Sequence, residues 1–167
     1  SSAASDVYKR QILICAGTGC LAGGSGEIYR RMSELAEENP DIDVEFGPEI
    51  AHGSGPLEVK KSGCHGFCEM GPLMRIEPAG ILYTKVKPED CDEIFHRTIE
   101  KGDVIRHLLF KQDGIEYKKQ EEIPFYKKQT RNVLKNCGHI DAEHIEEYIS
   151  TGGYEALEKV LFAVSYT

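Results

Sequence analysis

The sequence predicts an α/β domain followed by a short helical segment. Strand-like and helix-like patterns alternate from Ile12 to about Lys101, in the order strand, helix, strand, hairpin, helix. The chain has 167 residues, 40% of them hydrophobic, which suffices for one well-packed domain but not for two full ones. From Leu108 onward the composition shifts towards Lys, Gln and Glu, which marks the end of the domain pattern. These three observations set the predicted fold class.

The first predicted elements are a buried strand and an amphipathic helix. Residues 11–15 form a short apolar run that ends before Gly17, as expected for a strand that leads into a loop. The helix begins near Ser25, whose hydroxyl is suited to cap it, and stops at Asn39-Pro40. Its apolar residues recur at helical spacing: Ile28, Met32 and Leu35.

The later elements are a strand, a hairpin and a second helix. Apolar and polar residues alternate over residues 42–46, which predicts a strand, and the Gly- and Pro-rich residues 47–56 predict a loop. Residues 73–76 and 81–86 flank a proline- and glycine-containing turn, as in a hairpin. Residues 88–102 begin with proline and two acidic residues, which suit the first turn of a helix. This order and size are thioredoxin-like.

The patterns divide the chain into three parts. We predict a folded domain at 12–110, a linker at 111–130 and a helical segment at 131–163. Aromatic residues scattered through the linker indicate that it lies against another part of the protein. The last part predicts two short helices, at 141–150 and 154–162, which are too small to bury a core of their own.

The two ends of the chain are expected to be non-native. Residues 1–11 are polar and lack the apolar core of a signal peptide. They resemble translated sequencing-adapter read-through, as do residues 164–167, so we treat them as a non-native or disordered leader and a non-native tail. We therefore expect the chain to be a fragment whose natural continuation lies beyond Thr167.

Charge and hydropathy exclude several classes of protein. A formal net charge of −8 argues against a general affinity for nucleic acid, which requires clustered Lys and Arg. No run approaches the roughly 18 apolar residues of a membrane span, so we expect no direct membrane insertion. Pairing the six cysteines as disulfides would need an oxidising compartment. We expect a cytoplasmic protein, either soluble or peripheral to a membrane complex.

Four cysteines form two close pairs that predict a metal centre. Cys15-Ala-Gly-Thr-Gly-Cys20 has four residues between its cysteines, and Cys64-His-Gly-Phe-Cys68 has three. Thiolates suit iron–sulfur clusters and zinc alike. Structural zinc is typical of small folds that need the metal to hold together, whereas this chain has apolar elements enough for a core. An iron–sulfur cluster is therefore the favoured interpretation, with zinc, disulfides or unligated thiols as alternatives.

The remaining histidine and cysteine candidates fit less well. His65 suggests a Rieske site, but such a site needs histidine on both loops and the first loop has none. We expect His65 to lie beside the ligands or to face solvent. Cys91 on a predicted helix and Cys137 in Asn-Cys-Gly are expected to be packing residues.

A dinucleotide fingerprint overlaps the first cysteine pair. Residues 17–22 match the pattern G-x-G-x-x-G/A after a strand, and acidic residues lie near the distance expected for ribose binding: Glu37, Glu38 and Asp41. The fingerprint requires a helix that begins within the glycine run, whereas further glycines at 23–26 predict a delayed helix here. It also leaves four cysteines unexplained.

The cysteine motifs resemble those of a known family. Residues 14–20 and 63–86 are similar to the thioredoxin-like [2Fe–2S] ferredoxin domain of NADH-binding flavoprotein subunits, related to complex I and to the electron-bifurcating iron hydrogenases. Independently, residues 131–138 and 140–157 resemble the first segment of the flavin-binding domain in that family. Together the similarities cover roughly residues 12–163.

The resemblance implies a cluster, its ligands and a larger machine. It assigns a [2Fe–2S] cluster to four residues: Cys15, Cys20, Cys64 and Cys68. It places FMN, NAD(H) and a [4Fe–4S] cluster beyond Thr167, so no catalytic residue is assigned here. The implied partners are other subunits of a multisubunit oxidoreductase, namely a ferredoxin-like small subunit and hydrogenase or quinone-reducing subunits. Gly17 and Phe67 either adjust the cluster's surroundings or serve as turn and packing residues.

The resemblance also implies a function. The chain would be the electron-transfer module of an NADH- or NADPH-linked oxidoreductase, either an NADH–quinone oxidoreductase or an NAD(P)-linked hydrogenase, relaying single electrons next to a flavin. A nicotinamide delivers two electrons at once, whereas a [2Fe–2S] centre accepts one. Two alternatives stay open: a thioredoxin-like docking module without a cluster, and a dinucleotide-binding enzyme domain.

Overall fold

A mixed four-stranded sheet forms the centre of the protein. The computed structural model describes residues 10–40, 42, 57–141 and 143–163. The strands, in chain order, are β1 (Gln11–Cys15), β2 (Glu58–Ser62), β3 (Met74–Glu77) and β4 (Ile81–Tyr83). Their spatial order is β2-β1-β3-β4, with β1 parallel to β2 and antiparallel to β3, and with β3 antiparallel to β4. The expected strand at residues 11–15 and the expected hairpin are confirmed.

Helices follow strand β1, and another helix follows the hairpin of β3 and β4. A short helix α1 (Thr18–Ala22) precedes the long helix α2 (Ser25–Glu38). The helix after β4 begins as a 3₁₀ turn (Pro88–Asp90), continues as α3 (Cys91–Glu93) and ends in a π-helical stretch (Ile94–Ile99). The helix expected to begin at Pro88 is therefore confirmed.

The main core lies between the sheet and these helices. The apolar stripe predicted for α2 is buried there, with Ile28, Met32 and Leu35 at most 3% exposed. β1 contributes Ile12 and Ile14, and the later helix contributes Ile94, Phe95 and Ile99. Burying each such side chain contributes about 1.5–3 kcal/mol, so this layer holds the sheet in place.

Two expectations for the region before α2 are wrong. Ser25 does not cap α2, because the capping position is Gly24, which has a φ of 95° that favours glycine. Ser25 is the first helical residue, and among the described residues its buried hydroxyl finds no hydrogen-bond partner. The loop expected after Gly17 contains the helix α1.

Residues 110–128 pack on the domain instead of crossing open space. The hairpin formed by β5 (Phe110–Gln112) and β6 (Ile115–Tyr117) and the short helix α4 (Pro124–Lys127) lie in this stretch. Isolated bridges join Leu109 and Lys119 to β4. The segment expected to be a linker at 111–130 does lie against the protein, but about half of it is regular structure.

The C-terminal segment contains the two expected helices. They are α5 (Ile145–Ser150), shorter than the expected 141–150, and α6 (Glu155–Ala163). The expected strand at 42–46, apart from Ile42, and the loop at 47–56 lie outside the described residues, as do residues 1–9 and 164–167. Gln11, which we expected to belong to the leader, begins β1. None of the described helices is long and apolar enough to cross a membrane.

A buried chain of hydrogen bonds ties the sheet to the end of the later helix. The backbone N–H of Ile105 donates to the hydroxyl of Tyr83 at 3.0 Å. That hydroxyl lies 2.7 Å from Thr98 Oγ1, which donates in turn to the carbonyl of Asp103 at 2.8 Å. Since Tyr83 and Thr98 are fully buried, water cannot replace these bonds.

We expect Tyr83→Phe to lower the free energy of unfolding by about 1–3 kcal/mol, because it leaves the N–H of Ile105 without a buried partner. Urea unfolding followed by circular dichroism measures the change. Tyr154→Phe is the matched control, because Tyr154 is 51% exposed and should lose less than about 0.5 kcal/mol. Equal effects of the two substitutions would contradict the role of the buried network.

Candidate metal centre

The parallel pairing of β1 with β2 brings the two cysteine loops to one edge of the sheet. Cys15 is the last residue of β1 and stands opposite Ser62, the last residue of β2. Cys64 follows two residues later, and Cys68 begins a 3₁₀ turn (Cys68–Met70). Because parallel strands end at the same edge, segments separated by more than forty residues meet there.

The four thiols of the two pairs lie close together at this edge. The thiol of Cys20, carried by α1, interacts with Cys15, which also interacts with Cys64. Cys64 interacts with Cys68 in turn. The sequence-predicted site residues are therefore brought together. As cluster ligands they stay a prediction.

Hydrogen bonding and burial set the acidity of these thiols. The hydrogen bond from Cys20, against the effect of burial, lowers the pKa of Cys15 to about 6, and backbone N–H groups of His65 and Gly17 add to it. The pKa of Cys20 is raised, because its proton is shared with Cys15 and its thiol is buried. Burial raises the pKa of Cys64.

Backbone N–H groups point at the sulfurs from both loops. Gly66 N–H donates to Cys64 Sγ at 3.3 Å. The backbone N–H groups of His65 and Gly17 donate to Cys15, and that of Leu73 donates to Cys20. Such donors stabilise negative charge on ligand sulfur and tune a metal site.

Glycines leave the room that the sulfurs occupy. A Cβ on Gly17 would lie 3.0 Å from Cys64 Sγ, and one on Gly71 would lie 2.8 Å from Cys20 Sγ. A Cβ on Gly19 would lie 3.5 Å from the Cβ of Cys68. A residue larger than glycine would therefore crowd a thiol at Gly17 and at Gly71.

The centre has a buried side and an exposed side. Cys15 and Cys20 are each 1% exposed, whereas Cys64 and Cys68 are solvent-exposed. An electron carrier needs a protected centre with one accessible edge, because burial limits side reactions while exposure permits approach of a partner.

His65 is buried and does not face solvent, which corrects one of the two expectations for it. Its Nε2 lies 2.9 Å from Ser62 Oγ, and its Nδ1 lies 2.9 Å from Gln120 Oε1. Burial lowers the pKa of His65 to about 4, so the ring is neutral at pH 7. Both ring nitrogens are engaged in hydrogen bonds. His65 therefore supports the loop of the second cysteine pair, the ligand loop (residues 63–68).

An aromatic cluster covers the centre next to Cys68. Phe67 stacks on Phe125, with ring centroids 4.6 Å apart, and meets Phe110 and Tyr126 edge to face. Cys15 and Cys20 belong to the same apolar cluster, together with Leu73, Leu82 and Ile123. Phe67 is therefore a packing residue that also excludes water from the buried thiols.

The two remaining cysteines differ in their surroundings. Cys91 is fully buried in the main core, and burial raises its pKa to about 12, which confirms a packing role. Cys137 is half-buried and lines a groove of about 720 Å³ that also exposes Cys64, Arg131 and Leu134. Cys137 is thus closer to the centre than the sequence indicated.

One of the two arguments against the dinucleotide fingerprint is wrong. A helix does begin within the glycine run, at Thr18, so the delayed helix that argued against the fingerprint is wrong. However, α1 has only five residues, and the glycines face thiols: Gly17 faces Cys64 and Gly19 faces Cys68. The space that a pyrophosphate would need is taken by the cysteines.

A single metal ion and a [2Fe–2S] cluster require different arrangements of ligands. Among the residues that the structure describes, no three His, Cys, Asp or Glu side chains are grouped to hold one metal ion. A [2Fe–2S] cluster makes a different demand, because its four cysteines are shared between two irons.

The fold and the four thiols define a class of protein: a small α/β domain with a sulfur-lined site at one edge of its sheet. The sequence profile described as thioredoxin-like [2Fe–2S] ferredoxin matches residues 3–98, more than half of the chain. The chain therefore belongs to the thioredoxin-like [2Fe–2S] ferredoxin family. The match begins at residue 3, within the segment expected to be a non-native leader.

Curated relatives agree with this family, and a solved structure agrees with the fold. The chain is 36% identical over 102 residues to a 2Fe-2S ferredoxin of Clostridium pasteurianum, covering 60% of this chain and 94% of that protein. It is 28% identical over 90 residues to a 2Fe-2S ferredoxin of Aquifex aeolicus, covering 54% and 71%. The structure of a thioredoxin-like [2Fe-2S] ferredoxin from Aquifex aeolicus matches with a TM-score of 0.51 at 23% identity, covering 64% of this chain and 94% of that one.

A shorter similarity leads to a larger protein. Over 35 residues the chain is 57% identical to the NADP-reducing hydrogenase subunit HndC of Solidesulfovibrio fructosivorans. That stretch is 21% of this chain and 7% of the subunit.

The residues at this edge fit the cluster that the family implies. Six cysteines are free thiols, and four of them lie close together where backbone N–H groups converge. The glycine contacts at Gly17 and Gly71 show a cradle that a Cβ would fill. Thiolate sulfur is the ligand that iron–sulfur clusters take.

We expect Gly71→Ala to lower the free energy of unfolding by about 1–3 kcal/mol, because its Cβ would collide with Cys20 Sγ and crowd the carbonyl of Cys68. The φ of −71° at Gly71 suits alanine, so the effect would be steric. Urea unfolding of the cluster-free protein measures it. Gly26→Ala is the control: its Cβ would meet nothing within 4 Å on α2, and it should leave stability unchanged or slightly higher.

Proposed function

We propose that the chain is an electron-transfer module that holds a [2Fe–2S] cluster on Cys15, Cys20, Cys64 and Cys68. The observation that carries the proposal is the convergence of these four thiols at the end of the parallel pair β1 and β2. The family match supports the choice of cluster. When bound, the cluster supplies a one-electron acceptor and donor.

Each part of the site has its own task in this function. The buried Cys15 and Cys20 anchor the inner side under Leu73 and Phe67, which keep water away. The exposed Cys64 and Cys68 form the edge at which a partner approaches. His65 stabilises the ligand loop through its hydrogen bonds with Ser62 and Gln120.

We further propose that this module belongs to an NADH- or NADPH-linked oxidoreductase, in which FMN, NAD(H) and a [4Fe–4S] cluster lie in a part of the protein beyond Thr167. The short similarity to the hydrogenase subunit HndC supports this placement. The C-terminal segment packs on the ligand loop, where Gly63 N–H donates to the carbonyl of Ile140 at 3.1 Å. The partners would be the other subunits of such a complex.

The alternatives make different demands on the same residues. A docking module without a cluster does not require N–H groups aimed at thiols or glycines that make room for them, and this chain has both. A dinucleotide site needs space at the glycine run, which Cys64 and Cys68 fill. The electron-transfer function therefore accounts for more of the structure.

The first test is anaerobic reconstitution of the chain with iron and sulfide. We expect about two irons per chain, a visible absorption spectrum and a one-electron paramagnetic signal on reduction. Iron and sulfide analysis and electron paramagnetic resonance measure these properties. A colourless protein that binds a single zinc ion would sink the proposal.

Serine substitutions at the four thiols provide the residue-level test. Cys64→Ser is expected to abolish or strongly alter the spectrum, because oxygen is a poorer ligand for an iron–sulfur cluster than thiolate. Cys91→Ser is the control, since Cys91 packs in the main core away from the site and should change stability only. Measurable NADH binding by the chain itself would favour the dinucleotide alternative.

A further inference from the structure

One peptide unit links the ligand loop to the segment that follows the ferredoxin fold. At one end of this unit, Gly66 N–H donates to Cys64 Sγ at 3.3 Å. At the other end, the carbonyl oxygen of His65 accepts a hydrogen bond from Arg131 Nη2 at 2.8 Å. Since both groups belong to the His65–Gly66 peptide, the Arg131 cation polarises the carbonyl and makes the opposite N–H a stronger donor to sulfur.

Arg131 is fixed in this position by its surroundings. Its guanidinium lies over the ring of Tyr126, 5.1 Å from the centroid, and its Nε donates to Gln129 Oε1 at 3.2 Å. A planar guanidinium is suited to stack and donate at the same time. Its long side chain therefore holds one geometry at the loop.

Gly66 leaves room for the guanidinium of Arg131. It has a φ of 79°, which favours glycine, and a Cβ there would lie 3.0 Å from Arg131 Nη2. The absence of a side chain at Gly66 thus allows both the turn of the loop and the approach of the guanidinium. The sequence pattern of the cysteines contains the glycine but gives no sign of its partner.

We propose that Arg131 is a positioning residue that raises the reduction potential of the cluster through the His65–Gly66 peptide. The inference rests on the proposed function. Hydrogen bonds to ligand sulfur favour the reduced state, because that state carries more negative charge. Arg131 lies beyond residue 98, where the family match ends, so the docked C-terminal segment sets how readily the centre accepts an electron.

The test compares reduction potentials of reconstituted variants of the 167-residue chain. Arg131→Gln is expected to lower the equilibrium constant for one-electron reduction by about tenfold, which equals about 59 mV. Arg131→Lys keeps the charge without the planar guanidinium, so its decrease should be smaller. Anaerobic redox titration followed by paramagnetic resonance measures the potential, and thermal unfolding shows whether the fold is unchanged.

Lys128→Gln is the matched control. Lys128 is exposed on the same segment, and no contact with the ligand loop is seen for it in the described part of the chain. Its loss removes the same charge, and the potential should stay as in the unaltered protein. An unchanged potential in Arg131→Gln, or an equal decrease in Lys128→Gln, overturns the proposal.

If Arg131→Gln does not retain the cluster, the comparison of Arg131→Lys with the unaltered chain replaces it, and an unchanged potential in Arg131→Lys overturns the proposal. Absence of iron from the unaltered chain refutes the proposed function itself, which the iron assay distinguishes.

Discussion

The parallel pairing of β1 with β2 is the constraint on which the rest of the site depends. It fixes Cys15 opposite Ser62 and so brings both cysteine loops to one edge. An antiparallel β2 would send the second loop to the far end of the sheet, and the four thiols would not meet. The main core, which buries Ile12 and Ile14 of β1, holds this register because a slip of one residue would turn them to the other face.

Much of the fold could be predicted because its signals are local. The apolar run of β1, the helical spacing of α2 and the hairpin of β3 and β4 each follow from a period or a turn. β2 could not be predicted, since Glu58-Val-Lys-Lys-Ser62 is mostly polar and only partly buried. Its strand form comes from pairing with β1. The helix α1 was hidden by Gly17 and Gly19, whose presence is explained by the sulfurs beside them.

The site shows the same division between local and distant signals. The four thiols were identifiable from their spacing, and the structure brings them together. The supports of the ligand loop were not identifiable, because Gln120 is 55 residues from His65 and Arg131 is 66 residues from it. Only the folded chain places them there. The segment expected to be a linker therefore contributes to the centre through Tyr117, Gln120 and Tyr126.

The separation of the paired strands also governs how the domain folds. Residues of β1 pair with residues of β2 that lie far along the chain, as Gln11 does with Glu58, whereas β3 and β4 are joined by a turn. Closing a long loop costs conformational entropy before its contacts form, and such topologies fold slowly. We expect the hairpin to form early and the edge that carries the cysteines to be completed late. Until that edge is complete, the two cysteine pairs of a newly made chain stay apart and open to solvent.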